Sequence, residues 1–386
     1  MKEMSRVASS SFVPLLIGAT ALFLMAACGP DDEEEPEDLG KEELDYEEEF
    51  RPDVEEATVE SWVRDLEIPW SIVFLDQDTA LVSERPGRIR MIVNGELRDE
   101  PYLEIAEVEH IGEGGLMGLA LSPDFEENAS LFAMFTYRED GDVLNKVVRI
   151  QHEGESGQIE EEILTDIPGA NIHNGGRIRF GPDDKLYITT GDAADKPISR
   201  ERDNLGGKIL RINKDGSIPE GNPFGTEVYS YGHRNPQGLD WHPSTQDLYI
   251  SEHGPTAHDK LYLLEKGADH GWPEVDGLDP DGTFIDPIVL WPDRSVPPSG
   301  MSFHQGDIFI ATLRSNALVR VFLDEDQPHK PEKVERWFAS EPHEGKYGRF
   351  RDVVEGPDGA LYVLTSNQDG RGSPLPGDDQ IYRITF

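Results

Sequence analysis

Four short segments of this chain carry more polar chemistry than turns require. They are Asn171-Ile172-His173-Asn174-Gly175-Gly176-Arg177, Tyr231-Gly232-His233-Arg234-Asn235-Pro236-Gln237-Gly238, Ser251-Glu252-His253-Gly254-Pro255 with Gly271-Trp272-Pro273 downstream, and Gly348-Arg349-Phe350-Arg351-Asp352. Together they supply imidazoles, guanidinium groups, carboxamides and carbonyls, a set suited to catalysis and to holding anions rather than to packing. An imidazole such as His173 titrates near neutral pH and can act as a general base. In an extended chain Arg349 and Arg351 fall on one face and Phe350 on the other. Paired guanidiniums of that kind suit a ligand with carboxylates, although they could also pair with Asp352 or Glu355. Asn235 and Gln237 flank Pro236, where Asn-Pro can equally cap a turn. Gly254-Pro255 offers carbonyl oxygens, which a hard cation accepts, but a Gly-Pro turn alone is a weak signal. No strand, glycine-rich loop and helix follow one another as a dinucleotide site requires.

These segments must be held by elements that repeat. One unit, a short apolar strand, a Pro/Asp/Gly turn and a second alternating strand, recurs at residues 71–84, 118–134, 178–190, 238–252, 300–312 and 352–365. Period-two alternation broken by turn residues means antiparallel strands. Six such units at roughly 50-residue spacing predict an all-β, six-bladed β-propeller of four-stranded antiparallel blades. The extended stretch Thr58–Arg64 is expected to close the ring against the last strand near Ile381–Ile384. Three of the four polar segments lead into an inner strand and the fourth follows the next strand of its blade, so all four are expected at one end of the channel.

The 386 residues hold 77 Asp and Glu against 35 Lys and Arg, a net charge of −42. Such a field repels phosphate, so nucleic acid is not an expected partner. Residues 1–27 read as a signal peptide: Lys2 and Arg6, an apolar run, then Ala26-Ala27 before Cys28, the one Cys of the chain. The segment resembles a bacterial lipobox, with Met25 in place of the more usual Leu; an ordinary secretion signal or an uncleaved anchor are the alternatives. Processing before Cys28 would leave a lipid-anchored protein on the exported side of a membrane, touching it through the N-terminal lipid only. Residues 28–56 read as an extended acidic tether, since 16 carboxylates face only Lys41 and Arg51 between residues 31 and 56. The propeller is assigned to 57–386.

Glu67-Ile68-Pro69-Trp70, Glu113-Gly114-Gly115-Leu116-Met117-Gly118, Gly-His-Arg-Asn-Pro-Gln-Gly at 232–238 and the spaced Gly-Pro and Gly-Trp-Pro resemble the pyrroloquinoline-quinone-dependent soluble glucose and aldose sugar dehydrogenases, over essentially the whole body. The resemblance implies oxidation of an aldose sugar at its anomeric carbon to a lactone, with electrons passing to an external acceptor, a quinone or a redox protein. It implies His173 as general base, oriented by Asp192, and Arg234 as the group that stabilises charge on the quinone oxygen. Asn235, Gln237, Arg314, Arg349 and Arg351 would contact the pyrroloquinoline quinone, Gly254 and Pro255 would offer carbonyls to Ca²⁺, and Glu113 and Trp291 would face the sugar. Arg314 stands where the family has a lysine, Glu113 where the glucose enzymes have a glutamine, Ile172 where they have an acidic residue, and Lys260 interrupts an Asp-Glu pair. Sugar preference therefore does not transfer. A calcium-dependent lactonase, which needs an inward set of carboxylate ligands, and a non-catalytic glycan- or protein-binding propeller are the rival readings.

Mass spectrometry of the natively expressed protein is expected to find Cys28 as the N-terminus, carrying acyl chains. An unmodified Cys28, or a chain cut elsewhere, would sink this assignment.

Overall fold

The computed structural model describes residue 44, residues 46–324, residue 327 and residues 329–386. The expected signal peptide and Cys28 lie outside the described residues. Each sequence repeat folds into one blade, and the six blades surround a channel. From the axis outward, blade 2 is Leu116–Leu121, Ser130–Glu139, Asp142–His152 and Gly157–Pro168, and blade 3 is Ile178–Phe180, Leu186–Thr190, Lys208–Ile212 and Val228–Tyr231. Blade 4 is Pro236–Trp241, Leu248–Glu252, Asp259–Leu263 and Val289–Trp291, and blade 5 begins with Pro298–His304, Asp307–Thr312, Leu318–Leu323 and Pro331–Trp337. Blade 1 is Pro69–Phe74, Thr79–Glu84 and Arg88–Val93, its outer edge shared by the short strands Glu96–Leu97 and Leu103–Glu104. Blade 6 takes Phe350–Glu355, Leu361–Thr365 and Ile381–Thr385 from the C-terminal part of the chain, and its outer strand is Thr58–Val63, antiparallel to Ile381–Thr385. Ring closure is thus as expected.

The alternation that marked the strands has a packing cause. Apolar residues of one blade meet those of the next, giving one buried cluster at each of the six junctions between neighbouring blades. Between blades 5 and 6, for example, Phe309, Leu318 and Trp337 pack on Phe350, Val353 and Leu361. A fully buried side chain of this size contributes roughly 1.5–3 kcal/mol. The Pro/Asp/Gly turns reverse the chain at the far end of the channel; Gly359 adopts φ +75°, which its lack of a Cβ permits.

One expectation fails. The last part of the proposed tether is a strand: Glu47–Arg51 pairs in parallel with Pro331–Trp337 and makes blade 5 five-stranded. Net charge misled because the neighbouring strand carries the matching cations. Glu48 meets the buried Arg336 and accepts from the Trp291 indole (3.1 Å), Glu49 meets Lys333 (2.7 Å), and the Tyr46 hydroxyl donates to the Leu290 carbonyl (2.6 Å).

Truncation before residue 57 is therefore expected to destabilise the body relative to a chain starting at Glu43. It strips Glu48 from Arg336, and removing one partner of a buried pair costs about 3 kcal/mol. Equal melting temperatures for the two chains would show the strand to be idle.

Candidate functional site

The inner strands all start at the same end of the channel, so the connections between blades, and the loops joining the second and third strands of each blade, gather there. His173 comes from the connection into blade 3 and Asp192 from the loop after that blade's second strand. Their side chains meet at 2.7 Å between His173 Nδ1 and Asp192 Oδ1. A carboxylate only accepts, so Nδ1 carries the proton and Nε2 keeps its lone pair. Asp192 is fully buried, and its second oxygen accepts from the Trp272 indole at 2.9 Å, which gives Gly271-Trp272-Pro273 its purpose. The two loops approach so closely that a Cβ on Gly191 would lie 1.9 Å from the His173 carbonyl oxygen. A base with a fixed tautomer results.

Arg234 enters from the connection into blade 4. Its guanidinium lies 5.5 Å from the Trp272 ring and donates to the His253 carbonyl (3.3 Å). Its main-chain N–H donates to buried Glu252, which also takes a hydrogen bond from His233 at 2.9 Å. Asn235 accepts from the Gly175 N–H (3.0 Å), and Gln237 accepts from Arg351 (2.9 Å) and Ser299 (3.1 Å). As the alternation foretold, Arg349 and Arg351 share one face while Phe350 joins the core on the other. Both guanidiniums turn to Asp369, Arg349 at 2.8 Å and Arg351 at 3.8 Å, rather than to Asp352 or Glu355. Burial would raise the Asp369 carboxyl, but Arg349 and Arg351 outweigh it and hold it below the usual range. Burial lowers Arg351 to about 9, leaving it charged at neutral pH.

Arg85, Glu113, Gln237, His253, Arg351, Asp369 and Arg371 line a small cavity at this end. Five arginines (Arg85, Arg234, Arg349, Arg351 and Arg371) gather here against Asp192, Glu113 and Asp369. Two buried donors, Asn235 Nδ2 and Arg351 Nε, have no hydrogen-bond partner among the described residues. Leaving a buried donor unpaired costs about 1–3 kcal/mol, a penalty that a ligand rich in oxygen and carboxylate would remove. The side chains therefore fit an anionic polyoxygen cofactor. Gly254 is fixed by its N–H to Asp259 (2.9 Å), and its carbonyl and that of Pro255 accept no hydrogen bond from the described residues. Both oxygens are free for a cation. Among the described residues no three His, Cys, Asp or Glu side chains come together as a metal cluster.

Two sequence expectations fare differently. Arg314 is exposed on the loop between the second and third strands of blade 5, at the correct end but outside the buried ring. Trp291 is a correction: it sits on the outermost strand of blade 4, within the core between blades 4 and 5, its indole bonded to Glu48. It does not face the site. Arg85, Asp369 and Arg371 escaped the motif search, and His253, although inside one of the polar segments, was given no role. Their signal was positional, since each follows the second strand of its blade as Asp192 does in blade 3. A cavity of about 880 Å³ opens at the opposite end of the channel, among the ends of the inner strands. Its charged groups are largely paired with one another, Arg179 with Asp240 (2.8 Å) and Arg177 with Asp352 (2.7 Å).

Comparison with known proteins agrees with this geometry. An aldose sugar dehydrogenase of Escherichia coli is 29% identical over 340 residues, covering 79% of this chain and 89% of that protein. Quinoprotein glucose dehydrogenase B of Acinetobacter calcoaceticus is 33% identical over 358 residues, covering 66% and 73%. The PQQ-bound form of an aldose sugar dehydrogenase from Streptomyces coelicolor superposes with a TM-score of 0.78 at 37% identity, over 85% of this chain and 98% of that one. The Glucose / Sorbosone dehydrogenase family model matches residues 66–381, and the chain belongs to that family of sugar dehydrogenases.

Proposed function

We propose that this protein oxidises the anomeric carbon of aldose sugars to the lactone, using pyrroloquinoline quinone and Ca²⁺ held at the loop end of the channel, and that its electrons pass to an external quinone or redox protein. The observation that carries the proposal is the fixed base His173–Asp192–Trp272 set beside a buried arginine and carboxamide ring. No side chain accepts a hydride; the bound quinone supplies that two-electron chemistry. His173 Nε2 takes the proton of the anomeric hydroxyl, and the Asp192 carboxylate stabilises the imidazolium that forms. Arg234 offers positive charge to an oxygen on which negative charge develops. Arg349, Arg351 and Gln237, with Asn235, would hold the carboxylates and ring oxygens, and the carbonyls of Gly254 and Pro255 would hold the cation. Supporting this reading, the arginine ring gives an anionic ligand a locally basic pocket within a chain of net charge −42. We further propose an exported, lipid-anchored protein, held through Cys28; no helix among the described residues is long and apolar enough to cross a membrane.

Two experiments test the reading. The unloaded protein, given quinone and Ca²⁺, is expected to reduce an artificial dye with one or more of a panel of aldoses, and to ignore NAD and FAD. Activity with NAD alone, or none with any aldose after full loading, would overturn it. His173→Ala is expected to lose about 10²–10⁴ in turnover, the contribution of a positioned base, while quinone affinity holds. Arg351→Ala is expected to do the reverse and weaken quinone binding first, as measured by absorbance titration.

A further inference from the structure

Resting on the dehydrogenase reading, we propose that Glu113 is a positioning residue for the base, and that Arg371, reaching over from blade 6, is its counter-ion. The connection from blade 1 to blade 2 interlocks with the one that carries His173. The Glu113 N–H donates to the Asn171 carbonyl at 2.7 Å, and a Cβ on Gly112 would lie only 2.0 Å from that same oxygen. Two residues further on, the His173 N–H donates to Glu113 Oε2 at 3.0 Å. Glu113 thus grips the turn by main chain and by side chain.

The grip matters because His173 adopts φ +61°, a conformation that residues with a Cβ take only when their surroundings enforce it. Three contacts do so: the N–H on Glu113, the carbonyl accepting from Ala193 (3.1 Å), and Nδ1 on Asp192. Glu113 is the one of these three that reaches His173 from outside its own blade. Its other oxygen, Oε1, meets Arg371 at 2.6 Å. Each carboxylate oxygen thus has a protein partner, and the two together fix how the carboxylate is turned toward the His173 N–H. Burial would raise this carboxyl, but the His173 N–H and Arg371 hold it below the usual carboxylate range. It stays an anionic acceptor throughout the range in which an imidazole can work as a base. Arg371 is 54% exposed and Glu113 19%, so the ion pair is partly screened and counts for less than the main-chain contact.

The test compares the full-length protein with E113A, E113Q and R371A, all loaded with quinone and Ca²⁺. The expected result for E113A is a fall of about 10- to 100-fold in kcat, in keeping with the cost of a base displaced by an ångström or so, with KM and quinone affinity unchanged. E113Q keeps an oxygen for the His173 N–H and should recover to within about threefold of the parent. R371A, which removes the weaker contact, should lie between. Amide hydrogen exchange gives a reading that needs no turnover: the His173 N–H should exchange at least about tenfold faster in E113A than in the parent or E113Q. A rise in KM alone would make Glu113 a sugar ligand, and a loss that E113Q does not restore would make its charge the important property; either overturns the proposal, as does unchanged exchange. If the parent itself is inactive while the exchange pattern holds, the dehydrogenase reading fails and the brace stands.

Discussion

Across the channel, beneath the site, one ion pair joins blades on opposite sides of the ring. Arg177 of the connection into blade 3 reaches Asp352 of blade 6 at 2.7 Å, both essentially removed from solvent. The same guanidinium donates to the Gln237 carbonyl (3.0 Å) and lies 4.1 Å from the Trp70 ring of blade 1. Four blades thus meet at one side chain. Burial lowers Arg177 to about 10 and raises Asp352, the mark of a pair held out of water. A buried pair of this kind is a poor source of net stability and a strong penalty against any arrangement that separates it. Its consequence here is registry. Gln237 and Arg351, neighbours in sequence of the groups Arg177 binds, are set at a fixed depth, and the loop end of the channel is divided from the large cavity at the other.

The electrostatics follow from that division. The arginines of the loop end stand against Asp369 and Glu113, and Lys196 adds a further cation 5.1 Å from the Trp272 ring. Arginine suits the task better than lysine because the planar fork can serve a ligand and a protein carboxylate together, as Arg349 and Arg351 do with Asp369. The price of burying them is visible in the unpartnered Arg351 Nε, and it is located where a ligand can offset it. Around this ring the acidic surface keeps the molecule soluble without competing for the same site.

The fold was legible in the sequence because its two signals are local. Strand alternation and Pro/Asp/Gly turns need no knowledge of distant partners, and Thr79–Glu84 and Asp307–Thr312 appear with the boundaries their patterns gave. His173, Arg349 and Arg351 stood out as polar groups in short segments that turns do not require, and Asp192 came only through the family resemblance. What escaped depended on partners far away in the chain. Glu48 reads as one more charge in an acidic run until Arg336 stands beside it, 288 residues on. Trp291 reads as a sugar platform until the blade junction encloses it. Nothing near Glu113 in sequence announces Arg371, 258 residues on.

The ring is closed by its earliest strand: Thr58 pairs with Thr385 and Val59 with Ile384. During synthesis the segment that completes the last blade is therefore made more than 300 residues before its partner. Loop-closure entropy for so long a separation grows only by about 0.6 kcal/mol per doubling of length, so the obstacle is one of timing rather than of equilibrium. Until Ile381–Thr385 emerges, Thr58–Val63 has no ladder to join and blade 6 offers an open edge. Such a chain stays unclosed until Ile381–Thr385 has been made, and a product that stops short of that strand keeps an open sheet edge, which exposes it to misassembly and proteolysis.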